Sequence, residues 1–189
     1  MSTFFDIDCS GDTVTIEKTN NGDLIFHGYD EDAEMAAVEL GFEPSPCWIV
    51  WTAINNDDLG KELHNQSYRG NDLLVKVLLF AGANVEAEDK DGYFKRTPLH
   101  VAATNNYTNV VKILLEAGAS LDATDRDGWT PLHEAAMWNH ADVAKVLLEA
   151  GASVDARNNT GHTPLGLALW EEKYAVISVI KAWIEEHSE

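Results

Sequence analysis

Residues 127–159 read DGWTPLHEAAMWNHADVAKVLLEAGASVDARNN, and parts of this segment recur elsewhere in the chain. Thr130-Pro131-Leu132-His133 has a copy 33 residues earlier, Thr97-Pro98-Leu99-His100, and an altered copy 33 residues later, Thr163-Pro164-Leu165-Gly166. Ala150-Gly151-Ala152 repeats Ala117-Gly118-Ala119 at the same distance, and Gly128 and Gly161 are again 33 apart. Three separate markers with one period identify an array of structural repeats.

Each unit has a physical reading. Thr followed by Pro opens a helix, because Thr caps free amides and Pro suits the first helical position. The sequence predicts short helices from Pro98 to about Asn105 and from Pro131 to about Trp138. Second helices follow from about Asn109 to Ala117 and from Asp142 to Ala150. Val110, Val111, Ile113, Leu114 and Leu115 give such a helix a broad apolar stripe. Gly118 and Gly151 stand where a helix closes in a left-handed residue. Asp91-Gly92 and Asp127-Gly128 are tight-turn dipeptides. Neither helix can bury its stripe alone, so stacked neighbours must supply the core.

These residues resemble the ankyrin repeat. Residues 127–159 carry the family pattern almost throughout, and residues 97–126 nearly as well. From 160 the match weakens, and Lys181-Ala182-Trp183-Ile184 replaces the Gly-Ala ending, as in a terminal cap with the polar exit EEHSE. The resemblance implies a mainly α solenoid, an L-shaped stack with turn fingers along one edge and first helices lining a concave face. It also implies that His100 and His133 brace their turns by hydrogen bonding.

Backwards from 97 the pattern continues with insertions. Ala81-Gly82-Ala83 precedes Ala117-Gly118-Ala119 by 36 residues, so a long finger, Asp91-Gly92-Tyr93-Phe94-Lys95-Arg96, holds the three extra residues. Leu73 to Phe80 matches a second helix. Its first helix is placed at Pro46 to Ile54, with Pro46 as the opening proline and about sixteen residues, Asn55 to Gly70, inserted between the two and lying away from the fingers. The stack then occupies residues 45–189 in four units, about 45–88, 89–124, 125–157 and 158–189, the first degenerate.

Residues 1–44 fall outside the period. Thr13 to Lys18 alternates with β-branched residues, Asn21-Gly22 is a hairpin signal, and Leu24-Ile25-Phe26 is the return strand. Asp30 can cap a helix running to about Leu40, with Glu31, Asp32 and Glu34 in the first turn. This β-hairpin plus acidic helix reads as an N-terminal cap over the first repeat, and its compatible second reading is an extra binding surface.

Composition excludes several classes. Lys plus Arg is 13 and Asp plus Glu is 32, a net charge of −19. Residues 1–60 hold 13 acidic side chains against Lys18 alone, a net of −12, and residues 61–189 carry the remaining −7. Such a chain does not seek nucleic acid phosphates or anionic lipid. The longest apolar stretch, Leu73 to Ala83, is short and carries Lys76, so no membrane span is expected. The start, MSTFFDIDCSGD, lacks the form of a secretory signal. Cys9 and Cys47 are too few for a disulfide framework or zinc cage, and a reducing cytoplasm is the expected compartment.

Several stretches resemble chemical motifs in part. His133-Glu134-Ala135-Ala136-Met137 begins like a zincin helix, but Met137 stands where the second His ligand belongs. Asp125, Asp127, Gly128 and Glu134 have EF-hand spacing, but Ala123 and Pro131 occupy ligand positions. Cys47 lies in the apolar run Cys47-Trp48-Ile49-Val50-Trp51 and reads as core. No GxGxxG, P-loop or GxSxG motif is present. The expectation is a non-catalytic protein with no cofactor and no metal.

By the family resemblance, a protein partner binds at finger tips and exposed first-helix positions. In the second unit these are Lys90, Asp91, Tyr93, Thr104 and Asn105, and in the third Arg126, Asp127, Trp129, Met137 and Trp138. In the fourth they are Asn159, Thr160, His162, Trp170 and Glu171, where Trp170 either joins the surface or turns inward. Exposed tryptophans and Met are typical of an interface centre. Tyr93, Phe94, Lys95 and Arg96 form a second candidate, a basic, aromatic finger tip. The sequence therefore predicts a monomeric adaptor, or an inhibitor of a basic partner of the immunity-protein kind. The alternatives are an enzyme or a small-ligand or metal unit built on residues 1–70, and nucleic-acid mimicry by the acidic third.

Overall fold

The protein was analysed as a computed structural model, which describes residues 2–9, 12–21, 23–28, 49, 58–89 and 94–187. Three strands open it: β1 (Thr3–Cys9), β2 (Asp12–Lys18) and β3 (Leu24–His27). They form one antiparallel sheet in the order β1-β2-β3, with Ile7 opposite Val14, Phe5 opposite Ile16, and Ile16 opposite Phe26. Period-two alternation places Phe5, Ile7, Val14, Ile16, Leu24 and Phe26 in contact with the common core, while Phe4 and Ile25 are exposed. A five-residue connection, Thr19 to Asp23, joins β2 to β3 and is closed by Thr19 N–H donating to Asp23 O. The expected hairpin is therefore two strands of a three-stranded sheet. The alternation of β1 is obscured by the Phe4-Phe5 pair, one ring exposed and the other packed on the core.

Among the described residues, four helix pairs follow. They are α1 (Leu59–Arg69) with α2 (Asp72–Ala81), α3 (Pro98–Thr104) with α4 (Thr108–Glu116), α5 (Pro131–Met137) with α6 (Ala141–Glu149), and α7 (Pro164–Trp170) with α8 (Tyr174–His187). The first helices α1, α3, α5 and α7 pack in series, the second helices α2, α4, α6 and α8 form a parallel row, and each pair packs internally. Buried Leu63, Leu99 and Leu132 recur at one position of the first row, and Leu78, Leu114 and Leu147 at one position of the second. Gly118 and Gly151 close α4 and α6 with φ of 88° and 100°, as the sequence predicts. The last helix runs 14 residues, without the Gly-Ala ending, and Trp183 stacks on His187 at 3.8 Å.

The first unit differs from the expectation. Residues 58–70 of the expected insertion do not lie on the far edge. Leu59–Arg69 is itself the first helix of that unit, packed on α2 and on α3. Leu63-His64 precedes Leu99-His100 by 36 residues, the same offset as Gly82 to Gly118. Alignment on a proline misses this helix because Glu62 stands where Pro98 and Pro131 stand later. One or two residues past the end of each first helix the backbone turns to positive φ: Gly70 at 71°, Asn106 at 61°, Asn139 at 60° and Glu172 at 55°. At Gly70 a Cβ would also lie 2.6 Å from the Tyr107 ring, so glycine is required twice over. Lys61, His64, Asn65 and Tyr68 of α1 line a cleft with Glu86, Glu88 and Asp89, on the same side as the finger. The expected helix at Pro46 to Ile54 lies outside the described residues except for Ile49, which packs on the core. The expected helix at Asp30 to Leu40, and Cys47, lie outside them as well.

The sheet meets the stack at α2. The Phe5 and Phe80 rings are 5.5 Å apart, and Lys18 Nζ donates to Phe80 O at 3.2 Å. Ile7, Val14 and Ile16 belong to one continuous core with Leu74, Val77 and Leu78.

Candidate partner-binding surface

The fingers are braced by their own side chains. Asp125 Oδ1 accepts from the backbone N–H groups of Asp127 and Trp129, both at 2.9 Å. One period later Asn158 Oδ1 accepts from Thr160 and His162 N–H at 3.1 and 2.9 Å. Neighbouring fingers are tied together by backbone bonds, Arg126 N–H to Phe94 O at 2.8 Å and Asn159 N–H to Asp127 O at 3.0 Å. Gly128 sits where a Cβ would lie 2.7 Å from Asn159 Oδ1, so the close approach of the fingers depends on it.

The histidines tie fingers to helices, as the family resemblance implies. Nδ1 of His100 accepts from Thr97 N–H at 3.3 Å, so the neutral ring carries its proton on Nε2, which donates to Trp129 O at 2.9 Å. His133 repeats this with Thr130 N–H at 3.2 Å and His162 O at 3.0 Å. Burial lowers the pKa of both rings, against the opposing effect of those carbonyls. In the fourth unit Gly166 replaces the His, and its N–H caps on Thr163 Oγ1 at 3.1 Å.

Most of the sequence-predicted positions meet in one cleft of about 520 Å³. Trp129, Met137, Asp127, Phe94, Arg96, His162, Trp170 and Glu171 all line it, with Asn159 and Thr160. Trp170 turns outward, 76% exposed, and His162 meets its ring edge-on at 5.8 Å. Thr104, Asn105 and Trp138 line a second, smaller cleft of about 360 Å³ with Tyr68 and Val101. Trp138 is 56% exposed there. Arg96 lines both clefts and separates them.

Lys95 and Arg96 of the expected basic finger tip are both paired within the molecule, unlike free cations at a tip. Lys95 lies 3.3 Å from Glu88 Oε2, an exposed pair. Arg96 folds inward, its guanidinium 5.1 Å from the Phe94 ring centroid and its Nη2 2.7 Å from Glu134 Oε1. A strong local attraction explains the difference: Asp125 and Glu134 are both buried carboxylates, and Arg96 is the cation within reach of each. Arg126 is exposed on its finger and lines neither cleft. Tyr93, Lys90 and Asp91 lie outside the described residues.

Sequence reasoning missed Glu134 and Tyr68. Glu134 is fully buried on α5, and burial pushes its carboxyl pKa up despite Arg96. Its equivalents one period either side are Val101 and Leu167, so a charge among apolar residues was the available signal. Tyr68 stands 36 residues before Thr104 and joins the concave positions once α1 is in register. Among the described residues, no helix is long and apolar enough to cross a membrane, and no group of three His, Cys, Asp or Glu could hold a metal ion.

A family model described as ankyrin repeats, in three copies, matches residues 63–158, just over half of the chain. No curated protein matches the chain.

Proposed function

The chain belongs to the ankyrin-repeat family, whose members are generally protein-interaction modules, and from that premise we propose that it binds a partner protein through the cleft between its third and fourth fingers. The observation that carries this reading is the convergence of Phe94, Trp129, Met137 and Trp170 on one open cleft, with Trp138 exposed beside it. Aromatic and Met side chains rarely gather on a solvated face without a partner to cover them. The role is non-catalytic. The protein acts by occupying a surface of its partner, as an inhibitor of the immunity-protein kind.

The partner we propose is basic. A net charge of −19, concentrated in residues 1–60, favours encounter with a positive surface and disfavours acidic ones. The sheet of β1, β2 and β3 serves as the N-terminal cap of the stack, a reading supported by the Phe5–Phe80 contact and the Lys18 bond. We place the protein in the cytoplasm, acting as a monomer. The alternative, an enzyme or metal site on the acidic N-terminal third, draws on Asp30 to Glu43, which lie outside the described residues.

The test is affinity capture of proteins from the source lysate at low and moderate salt, identified by mass spectrometry. A basic protein released as salt rises supports the inhibitor reading. A neutral or acidic partner retained through salt makes the protein an adaptor and removes the steering role of the acidic third. Recovery of no protein turns attention to residues 1–70 as a small-ligand unit.

A further inference from the structure

We infer that the 520 Å³ cleft is a receptor for a single arginine side chain projecting from the partner, an inference that rests on the partner-binding reading above. The walls suit the stem of such a residue. Trp129, Met137, Leu167 and Trp170 give an apolar lining able to cover the three methylenes of an arginine. Trp129 and Trp170 also offer aromatic faces to its guanidinium.

The charge of the cleft points the same way. Asp125, Asp127 and Glu171 line it, and Arg96 is the one Lys or Arg side chain among its lining residues. Arg96 is already engaged by two buried carboxylates, its Nη2 2.7 Å from Glu134 Oε1 and its Nε 3.8 Å from Asp125 Oδ2. Asp125 is buried, with one oxygen filled by two backbone N–H groups. The exposed Asp127 and half-buried Glu171 therefore remain for a visiting cation. Mostly apolar walls with an acidic rim match a side chain with an apolar stem and a positive head.

Arginine fits better than lysine. Its guanidinium is planar and weakly hydrated, so it stacks on a ring and pairs with a carboxylate at once, whereas an ammonium is a strongly hydrated point charge. The molecule already makes this pairing internally, with Arg96 over Phe94 and against Glu134. The neighbouring cleft at Trp138 has no carboxylate among its lining residues and would take a neutral part of the partner.

The test uses the full chain and three blocked tripeptides, acetyl-Gly-Arg-Gly-amide and its lysine and citrulline counterparts, followed through the indole N–H resonances of the tryptophans. The arginine peptide should shift Trp129 and Trp170 saturably and leave Trp138 unmoved. Lysine should bind more weakly, and citrulline, which keeps the shape without the charge, about tenfold more weakly or not at all. The double substitution Asp127→Asn with Glu171→Gln should weaken the arginine peptide by about tenfold with the thermal transition unchanged. Equal binding of citrulline and arginine, indifference to the two carboxylates, or no shift with arginine would overturn the inference. Failure of the broader reading is seen separately, if the partner captured from lysate is still held after Trp129→Ala with Trp138→Ala.

Discussion

Arg96 Nη2 lies 2.7 Å from Glu134 Oε1, joining the finger of the second repeat to the first helix of the third. The carboxylate is fully buried and the arginine side chain 30% exposed, so the ion pair reaches the surface through Arg96, which lines both clefts. Glu134 occupies a position filled by Val101 and Leu167 in the adjoining repeats. The acid therefore costs desolvation that its neighbours avoid, and Arg96 offsets part of it.

Arg96→Ala should destabilise the protein by about 3 kcal/mol at neutral pH, because it leaves a buried charge unpaired. Glu134→Leu should be neutral or stabilising, since it restores the residue of the fourth repeat. The sign with pH follows from the raised pKa of Glu134. The folded state holds this proton more tightly than the unfolded one, so stability attributable to Glu134 is lost as pH rises from 4.5 through its folded value. Urea midpoints of the wild type and Glu134→Leu at pH 4.5 and 7.5 check this. A Glu134→Leu protein less stable than the wild type at pH 7.5 would contradict it.

The two bracing histidines act in the opposite direction. Their folded pKa values lie below 6.5 because burial disfavours the charged rings. The unfolded chain therefore gains protons below pH 6.5 that the folded chain refuses, and stability falls as pH drops through that window. His100→Gln with His133→Gln should flatten this part of the pH profile. It should also cost at least about 1 kcal/mol per site from lost buried hydrogen bonds. The readout is the unfolding midpoint between pH 7.5 and 5.5, and an unchanged slope in the double variant would show that other groups carry it.

Glu172 has φ of 55° at a position held by Asn106 and Asn139 in the two preceding repeats and Gly70 in the first. A left-handed conformation costs a side chain with a Cβ about 1–2 kcal/mol, and the residue is exposed. Glu172→Gly should raise stability by roughly 0.5–1 kcal/mol after the entropy cost of glycine is deducted. Thermal unfolding of the single variant measures it, and a fall in midpoint would mean that the glutamate makes a compensating contact.

Trp129→Ala with Trp138→Ala should abolish partner binding and leave the melting transition nearly unchanged. The rings face the two clefts, and the Trp129 carbonyl that receives His100 Nε2 is backbone and survives the substitution. Partner capture and thermal melting of the same variant separate the two effects. Retained binding would place the interface elsewhere, on the cleft of α1 or on the sheet.

The period, the Thr-Pro helix starts and the glycine ends are legible in the residues alone, whereas the histidine braces are implied by the family resemblance. These are short-range signals: a cap, a turn or an apolar stripe is complete within a few residues and repeats wherever the pattern repeats. The sequence fell short at α1, where Glu62 replaces the opening proline, and at β1, where the Phe4-Phe5 pair obscures the alternation. Tertiary structure alone decided that Arg96 turns away from solvent, that Trp170 turns toward it, and that Trp129 and Trp138 look into different clefts. Arg96 and Glu134 are 38 positions apart. Their meeting depends on how one repeat is set against the next, and a buried carboxylate draws the nearest cation only once that stacking has formed.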